Sequence, residues 1–212
     1  MKSKKPLNEI AYQRIKDKIM RGDFVEKNYT SQSQLVEELN MSRTPIVVAL
    51  RRLANEGFVR VASKQGIIIQ ELSIKETNEL FDMRIALETY SIKRINHLPT
   101  DDDFQKLEQL IEEQKQSFEK ENFYNFSRAD ADFHKYLLEI GGNSAFINTM
   151  QNIWDRLFFH STLVLRKTND IPKFIEEHVA ILENLKKGDY NSLSKVLESH
   201  IQGGKMQFLE KY

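Results

Sequence analysis

Residues 30–69, TSQSQLVEELNMSRTPIVVALRRLANEGFVRVASKQGIII, decide the fold. They read as a short helix, a tight turn, a second helix and a two-stranded wing. The first helix begins near Ser31 to Ser33 and buries Leu35, Val36 and Leu39, and Asn40-Met41 make the turn. Ser42 suits the cap of the second helix, and Pro45 falls in its first turn, where a missing N–H costs nothing. The inner face of that helix is Ile46, Ala49, Leu50 and Leu53, and Gly57 ends it. Strands are expected at 58–61 and 67–70, with Gly66 at the wing tip or just after it.

A winged helix-turn-helix places the start of its second helix against base edges and phosphates in the major groove. Ser42, Arg43 and Thr44 occupy that start. Arg43 suits a phosphate or, bidentately, a guanine edge. Ser42 and Thr44 suit phosphate oxygens, aided by the free N–H groups of the helix terminus. Val47, Arg51 and Arg52 lie further along, on or beside the exposed face. Lys64, Gln65 and Gly66 at the wing are candidates for backbone or minor-groove contact, and Lys2, Lys4 and Lys5 form a loose basic arm. Double-stranded operator DNA is the expected partner.

Outward from this core, residues 7–21 read as a helix with Pro6 at its start and Gly22 at its end. Ile10, Ile15 and Ile19 roughly share one face, with Leu7 and Tyr12 nearby. On the other side, Ser73 with Glu76 three residues later forms a capping box. From there only helical signals appear, at 73–97, 101–120, 123–140, 144–167, 172–187 and 190–210. The fold class is therefore mainly α. A winged helix-turn-helix domain at 1–72 precedes an all-helical bundle of about six helices at 73–212.

The chain has 212 residues, of which 40% are hydrophobic, enough for a substantial core. It contains no apolar run long enough to span a membrane. The N-terminal lysines lack the apolar stretch of a signal peptide, so a cytoplasmic location is expected. Cysteine is absent, which excludes disulfides and thiolate metal sites. The formal net charge of zero hides an asymmetry: residues 1–72 hold 13 Lys/Arg against 8 Asp/Glu, a net of +5, and residues 73–212 hold 18 against 23, a net of −5. A basic head meets phosphate, and an acidic body avoids it.

The body carries a second signal. Asp130 and His134 are four apart and share a helical face. His178 and His200 fall on two further helices. Oxygen and imidazole ligands from several helices of a bundle make a plausible divalent metal site. Zinc is the first choice, and nickel, manganese or iron would also suit. On spacing alone, isolated surface or core histidines are the alternative.

The stretch Met41-Ser42-Arg43-Thr44-Pro45, followed by Ala49-Leu50-Arg51-Arg52-Leu53 and Glu56-Gly57-Phe58-Val59, resembles the GntR family of bacterial transcriptional regulators over residues 7–70. Two departures stand out. Val47-Val48 replace a common Arg-Glu pair, and Glu26-Lys27 replace a common Pro-Gly turn. The two valines either meet thymine methyls or pad a wider core.

Residues 73–205 are similar to the FCD effector-binding domain of the FadR subfamily. The matching residues are Arg84 with Leu87-Glu88; Asp130, Phe133 and His134, then Gly142-Asn143; Glu177-His178 with Ala180-Ile181-Leu182 and Gly188-Asp189; and His200. The resemblance implies metal ligation by Asp130, His134, His178 and His200. It also implies a small carboxylate effector beside the metal, paired with Arg84. An Arg84–Glu88 salt bridge is compatible with that role. Asn152 and Arg156 are further candidates for the effector cavity, while Trp154, Phe158 and Phe159 read as core or pocket wall. The expected protein is a homodimeric regulator, a repressor by family tendency, released from its operator by the metabolite and not an enzyme. A metal-dependent hydrolase with a DNA-tethering head is the alternative, with Glu139 and Glu177 the only bases near the ligands in sequence.

Overall fold

The computed structural model describes residues 5–24, 28–62, 66–95, 97–165 and 170–210, except for the side chain of Leu163. Lys2, Lys4, Glu26, Lys27, Lys64 and Gln65 therefore lie outside the described residues. The chain divides into two compact units, one ending at Glu71 and the other starting at Leu72.

In the first unit α1 spans Leu7–Arg21, α2 Gln32–Leu39 and α3 Arg43–Asn55. Gly22 takes the left-handed conformation (φ 81°) that ends α1. Ser31 and Gln34 form a reciprocal capping box on α2. Ser42 precedes α3 in extended conformation, but its side chain does not cap the helix. The expected cap is thus absent, and the first-turn N–H groups of α3 have no side-chain partner from Ser42. The core joins Ala11, Tyr12, Ile15 and Ile19 of α1 to Leu35 of α2 and to Ile46, Ala49, Leu50 and Leu53 of α3. Leu7 is exposed, and Ile10 and Val36 are only half-buried, so the inner faces are narrower than the sequence suggested.

The wing has three strands where the sequence suggested two: β1 (Tyr29–Thr30), β2 (Val59–Ala62) and β3 (Gly66–Ile69). All pair antiparallel in the order β1-β3-β2, with Thr30 opposite Ile67 and Val61 also opposite Ile67. A two-residue strand is too short to show any alternation, which is why β1 is invisible in sequence. Gly66 has φ +84°, and a Cβ there would sit 2.7 Å from the Thr30 carbonyl oxygen. Glycine is therefore required by the sheet itself.

The second unit consists of α4 (Ile74–Lys93), α5 (Asp101–Glu119), α6 (Phe123–Ile140), α7 (Ser144–Leu165), α8 (Ile171–Lys186) and α9 (Tyr190–Leu209). Capping boxes start α4 (Ser73 with Glu76) and α5 (Thr100 with Asp103). Asn143 accepts from the N–H groups of Ala145 and Phe146 at the head of α7. Helix α4 packs along α9, α6 between α5 and α7, and α8 along α5 and α9. Leu107, Leu110 and Ile111 of α5 are buried, while Phe118 on the same stripe is 37% exposed. Among the described residues no helix is long and apolar enough to cross a membrane.

Candidate functional site

On the head, Arg43, Thr44, Val48 and Arg51 all lie on the exposed side of α3, and Val47 is half-buried. Arg43 Nε donates to Gln32 Oε1 at 3.1 Å, so its guanidinium is steadied by the start of α2. Arg52 is occupied elsewhere. Its guanidinium lies 3.6 Å from the centre of the Tyr12 ring and donates to Glu56 (3.0 Å) and Glu9 (2.9 Å). This arginine clamps α3 to α1, whereas its neighbour Arg51 has no ion-pair partner among the described residues.

In the body, three helices build one largely buried cluster of four side chains. Helix α6 supplies Asp130 and His134, α8 supplies His178 and α9 supplies His200. One ligand atom from each lies within 4.8 Å of all the others. His134 Nε2 is 3.2 Å and His178 Nε2 is 3.0 Å from His200 Nε2. Asp130 Oδ1 is 3.5 Å from His178 Nε2 and 4.0 Å from His134 Nε2. Ligands bonded at about 2.1 Å to one cation stand about 3.0–3.4 Å apart, so the spacing fits a metal.

The ring orientations say more. Each Nδ1 faces an oxygen: Glu88 Oε2 at 2.8 Å from His134, Gln114 Oε1 at 2.6 Å from His178 and Glu177 Oε2 at 2.8 Å from His200. An oxygen acceptor places the ring proton on Nδ1, leaving the Nε2 lone pair free. The Nε2 atoms of His134 and His178 each then face that of His200 across about 3 Å, an arrangement that a bound cation would relieve. Of the partner residues, Glu88 is expected only as a mate for Arg84 and Glu177 only as a possible base. Gln114, a lone glutamine on another helix, gives no sequence signal.

The electrostatics agree. Burial, then the Arg84 charge, lowers the His134 imidazole below its ordinary range. Burial, followed by the charges of His200, His134 and Arg84, pushes His178 well below it. Both rings are therefore neutral and ready to ligate. Burial would raise the Glu88 carboxyl, but Arg84 and His134 hold it at about 2. The hydrogen bond from His200 lowers Glu177. Around the neutral His134 and His178 rings, the carboxylates of Glu88, Asp130 and Glu177 face the guanidinium of Arg84 and the ammonium of Lys173, which lies 3.9 Å from Glu177.

Beside the cluster lies a cavity of about 70 Å³. Arg84 Nε donates to Glu88 at 2.8 Å. Arg84 Nη2, Ser127 Oγ and Trp154 Nε1 are buried without a hydrogen-bond partner among the described residues, and all three residues line this cavity. Orphaned buried polar atoms are uncommon and mark a place for a missing partner.

Asn152 and Arg156 do not line the cavity. Arg156 Nη2 instead pairs with Glu76 Oε1 at 2.7 Å. Helix α7 turns Trp154, Leu157, Phe158 and Ser161 inward, spaced by three or four residues. Residues 152 and 156 fall roughly opposite them on the wheel. Phe159 and His160 are buried, and His97 is exposed.

The model for bacterial regulatory proteins of the gntR family matches residues 7–69, and the FCD domain model matches residues 79–203. The uncharacterized HTH-type transcriptional regulator YdhC of Bacillus subtilis (strain 168) is 23% identical over 190 residues, covering 89% of this chain and 85% of the relative. The gluconate operon transcriptional repressor of Bacillus licheniformis is 24% identical, with 86% and 77% covered. The HTH-type transcriptional repressor RspR of Escherichia coli (strain K12) is 22% identical, with 93% and 86% covered. Among solved structures, a transcriptional regulator GntR from Rhodococcus sp. RHA1 superposes with a TM-score of 0.81 at 16% identity, covering 97% of this chain and 98% of that one. E. coli McbR/YncC gives 0.80 at 18% identity, with 99% and 100% covered.

Proposed function

The chain belongs to the GntR family of bacterial transcriptional regulators, with an FCD domain as its body, and from that premise we propose a metal-dependent, metabolite-released repressor. In this reading Asp130, His134, His178 and His200 hold one divalent cation, zinc first among the candidates. A small carboxylate binds beside it, met by the unpaired Nη2 of Arg84. The observation that carries the reading is the convergence of three Nε2 atoms beside a cavity where Arg84, Ser127 and Trp154 each keep an orphaned donor.

Each residue has a separable task. Glu88, Gln114 and Glu177 fix the ring tautomers, which raises ligand basicity. The metal, when bound, offers a Lewis-acid position to a carboxylate oxygen. Arg84 supplies a planar donor fork held in place by Glu88. Helix α4, which carries both residues, begins at Ile74, shortly after β3 ends at Ile69. A ligand that changes the position of α4 therefore acts on the segment joined directly to the head. Only differential affinity for two arrangements can produce a response.

The head reads DNA through Ser42, Arg43, Thr44, Val47 and Arg51, with Lys64, Gln65 and Gly66 at the wing. A homodimer matches two half-sites about one helical turn apart. Repression rather than activation is favoured by relatives such as the gluconate operon repressor and RspR. The test is an operator-binding titration with the DNA upstream of the protein's own gene, using zinc-loaded protein and a panel of small carboxylates. Release by at least one acid supports the reading, and indifference to every acid contradicts it.

A further inference from the structure

The geometry points to an effector that is a short monocarboxylate with a hydrocarbon tail, the tail lying in a recess that Gly204 keeps open. This rests on the carboxylate reading above and adds the nature of the rest of the molecule.

The cavity has two ends. Phe81 of α4 lies against α9 at Phe208, with ring centroids 5.1 Å apart, and its ring is the nearest side chain to Gly204. Arg84 is one turn further along α4, and His200 one turn earlier along α9. The polar, metal-ligating end is therefore Arg84 and His200, and the opposite end is Phe81, Gly204 and Phe208. Tyr124 of α6 meets Phe158 of α7 with centroids 5.2 Å apart. That register sets Trp154, with its orphaned Nε1, level with the Asp130 turn of α6. The unpaired donors thus gather at the metal end.

The far end has few polar groups. Its two polar neighbours each direct a donor within the chain: Gln207 Nε2 donates to Asp170 at 2.6 Å, and Ser161 Oγ donates to the Phe158 carbonyl at 2.8 Å. The remaining wall is aromatic and aliphatic, including Leu157 and Phe158. A polyhydroxylated acid would bury hydroxyls against ring carbon, whereas a hydrocarbon tail gains by the same burial. The volume of about 70 Å³ keeps the tail short, since apolar cavities that take benzene are about 150 Å³.

Gly204 is the second, independent sign. It sits inside α9, where glycine is disfavoured relative to alanine. Its backbone needs no glycine, because its φ is not positive. A Cβ there would meet the Phe81 ring at 3.5 Å, an ordinary contact. Packing within the chain does not require the glycine, but a methyl group would fill part of the recess.

The experiment measures binding of 3-methylbutanoate, glycerate and acetate to zinc-loaded full-length protein, wild type and Gly204→Ala, by calorimetry. The first two acids are matched in non-hydrogen atom count, and acetate has almost no tail. Wild type should bind 3-methylbutanoate at least tenfold more tightly than glycerate. In Gly204→Ala the preference for 3-methylbutanoate over acetate should fall at least tenfold, while the melting temperature without ligand does not fall. Equal or tighter binding of glycerate, or an unchanged preference in Gly204→Ala, overturns the tail assignment and leaves the carboxylate reading intact. Failure of all three acids to bind overturns both, and Arg84→Ala distinguishes the cases: it weakens acetate binding only where the carboxylate reading holds.

Discussion

Glu88 of α4 accepts a hydrogen bond from Nδ1 of His134 on α6 at 2.8 Å, while its other oxygen accepts from Arg84 Nε at 2.8 Å. One carboxylate thus orients a candidate metal ligand and the candidate effector arginine together. In the proposed site, a change at the metal would reach Arg84 through this single buried group. Replacing Glu88 with Gln keeps an acceptor but removes the charge. Metal affinity, read by chelator competition, should fall about 10–100-fold. Unchanged affinity would show that Glu88 serves Arg84 alone.

His134→Ala and His178→Ala should each abolish stoichiometric metal, measured by elemental analysis of the purified protein. Loss of an imidazole also leaves an orphaned acceptor, Glu88 in one case and Gln114 in the other, so melting temperature should drop as well. Wild-type metal content in either variant would refute the ligand assignment.

Arg84→Ala leaves the buried Glu88 carboxylate with only His134 as partner. Breaking such a pair costs about 3–5 kcal/mol. The variant should still fold and bind operator DNA but lose the effector response. A retained response would make Arg84 a purely structural partner of Glu88.

The two adjacent arginines of α3 should separate cleanly. Arg51→Ala should weaken operator binding across sequences and lower the salt slope by about 1. Arg52→Ala should leave that slope alone and cost about 1 kcal/mol of stability through the Tyr12 stack. Arg43→Ala should cost about 1–3 kcal/mol of operator affinity if its fork reads a base. Equal salt slopes for Arg51→Ala and wild type would remove Arg51 from the interface.

Glu76 predicts an acid-sensitive term. Burial alone would raise its carboxyl, but hydrogen bonds from Ser73 and the Arg156 guanidinium hold it at about 2 against an ordinary 4.5. A lowered folded-state value stabilises the fold above the unfolded value. That contribution fades as pH falls from about 4.5 towards 2. Urea midpoints measured between about pH 5 and 3 should converge for wild type and Glu76→Gln. A constant gap across that window would contradict the linkage.

What could be read before the structure follows from how locally each feature is encoded. Helix ends are marked by the residues that make them, such as Pro6, Gly22, Ser73 with Glu76, and Gly188. The i,i+4 pair Asp130 and His134 is a local pattern too. Its joining with His178 and His200 is implied only by the family resemblance, because no local rule brings three helices to one point. Gln114 and Glu177 were missed as ring partners for the same reason: they act 64 and 23 residues from their histidines. Arg156, although close in sequence to Trp154, faces away from the cavity and pairs with Glu76. The Ser42 cap failed because an extended backbone is necessary but does not by itself aim the hydroxyl.

The central claim is that the metal centre governs release from DNA. Its most direct test is one operator titration by fluorescence anisotropy, run with zinc-loaded and chelator-stripped protein, each with and without 3-methylbutanoate. A carboxylate-induced loss of affinity of at least tenfold is expected in the loaded protein and none in the stripped protein. An equal response after stripping, or no response in either, would contradict it.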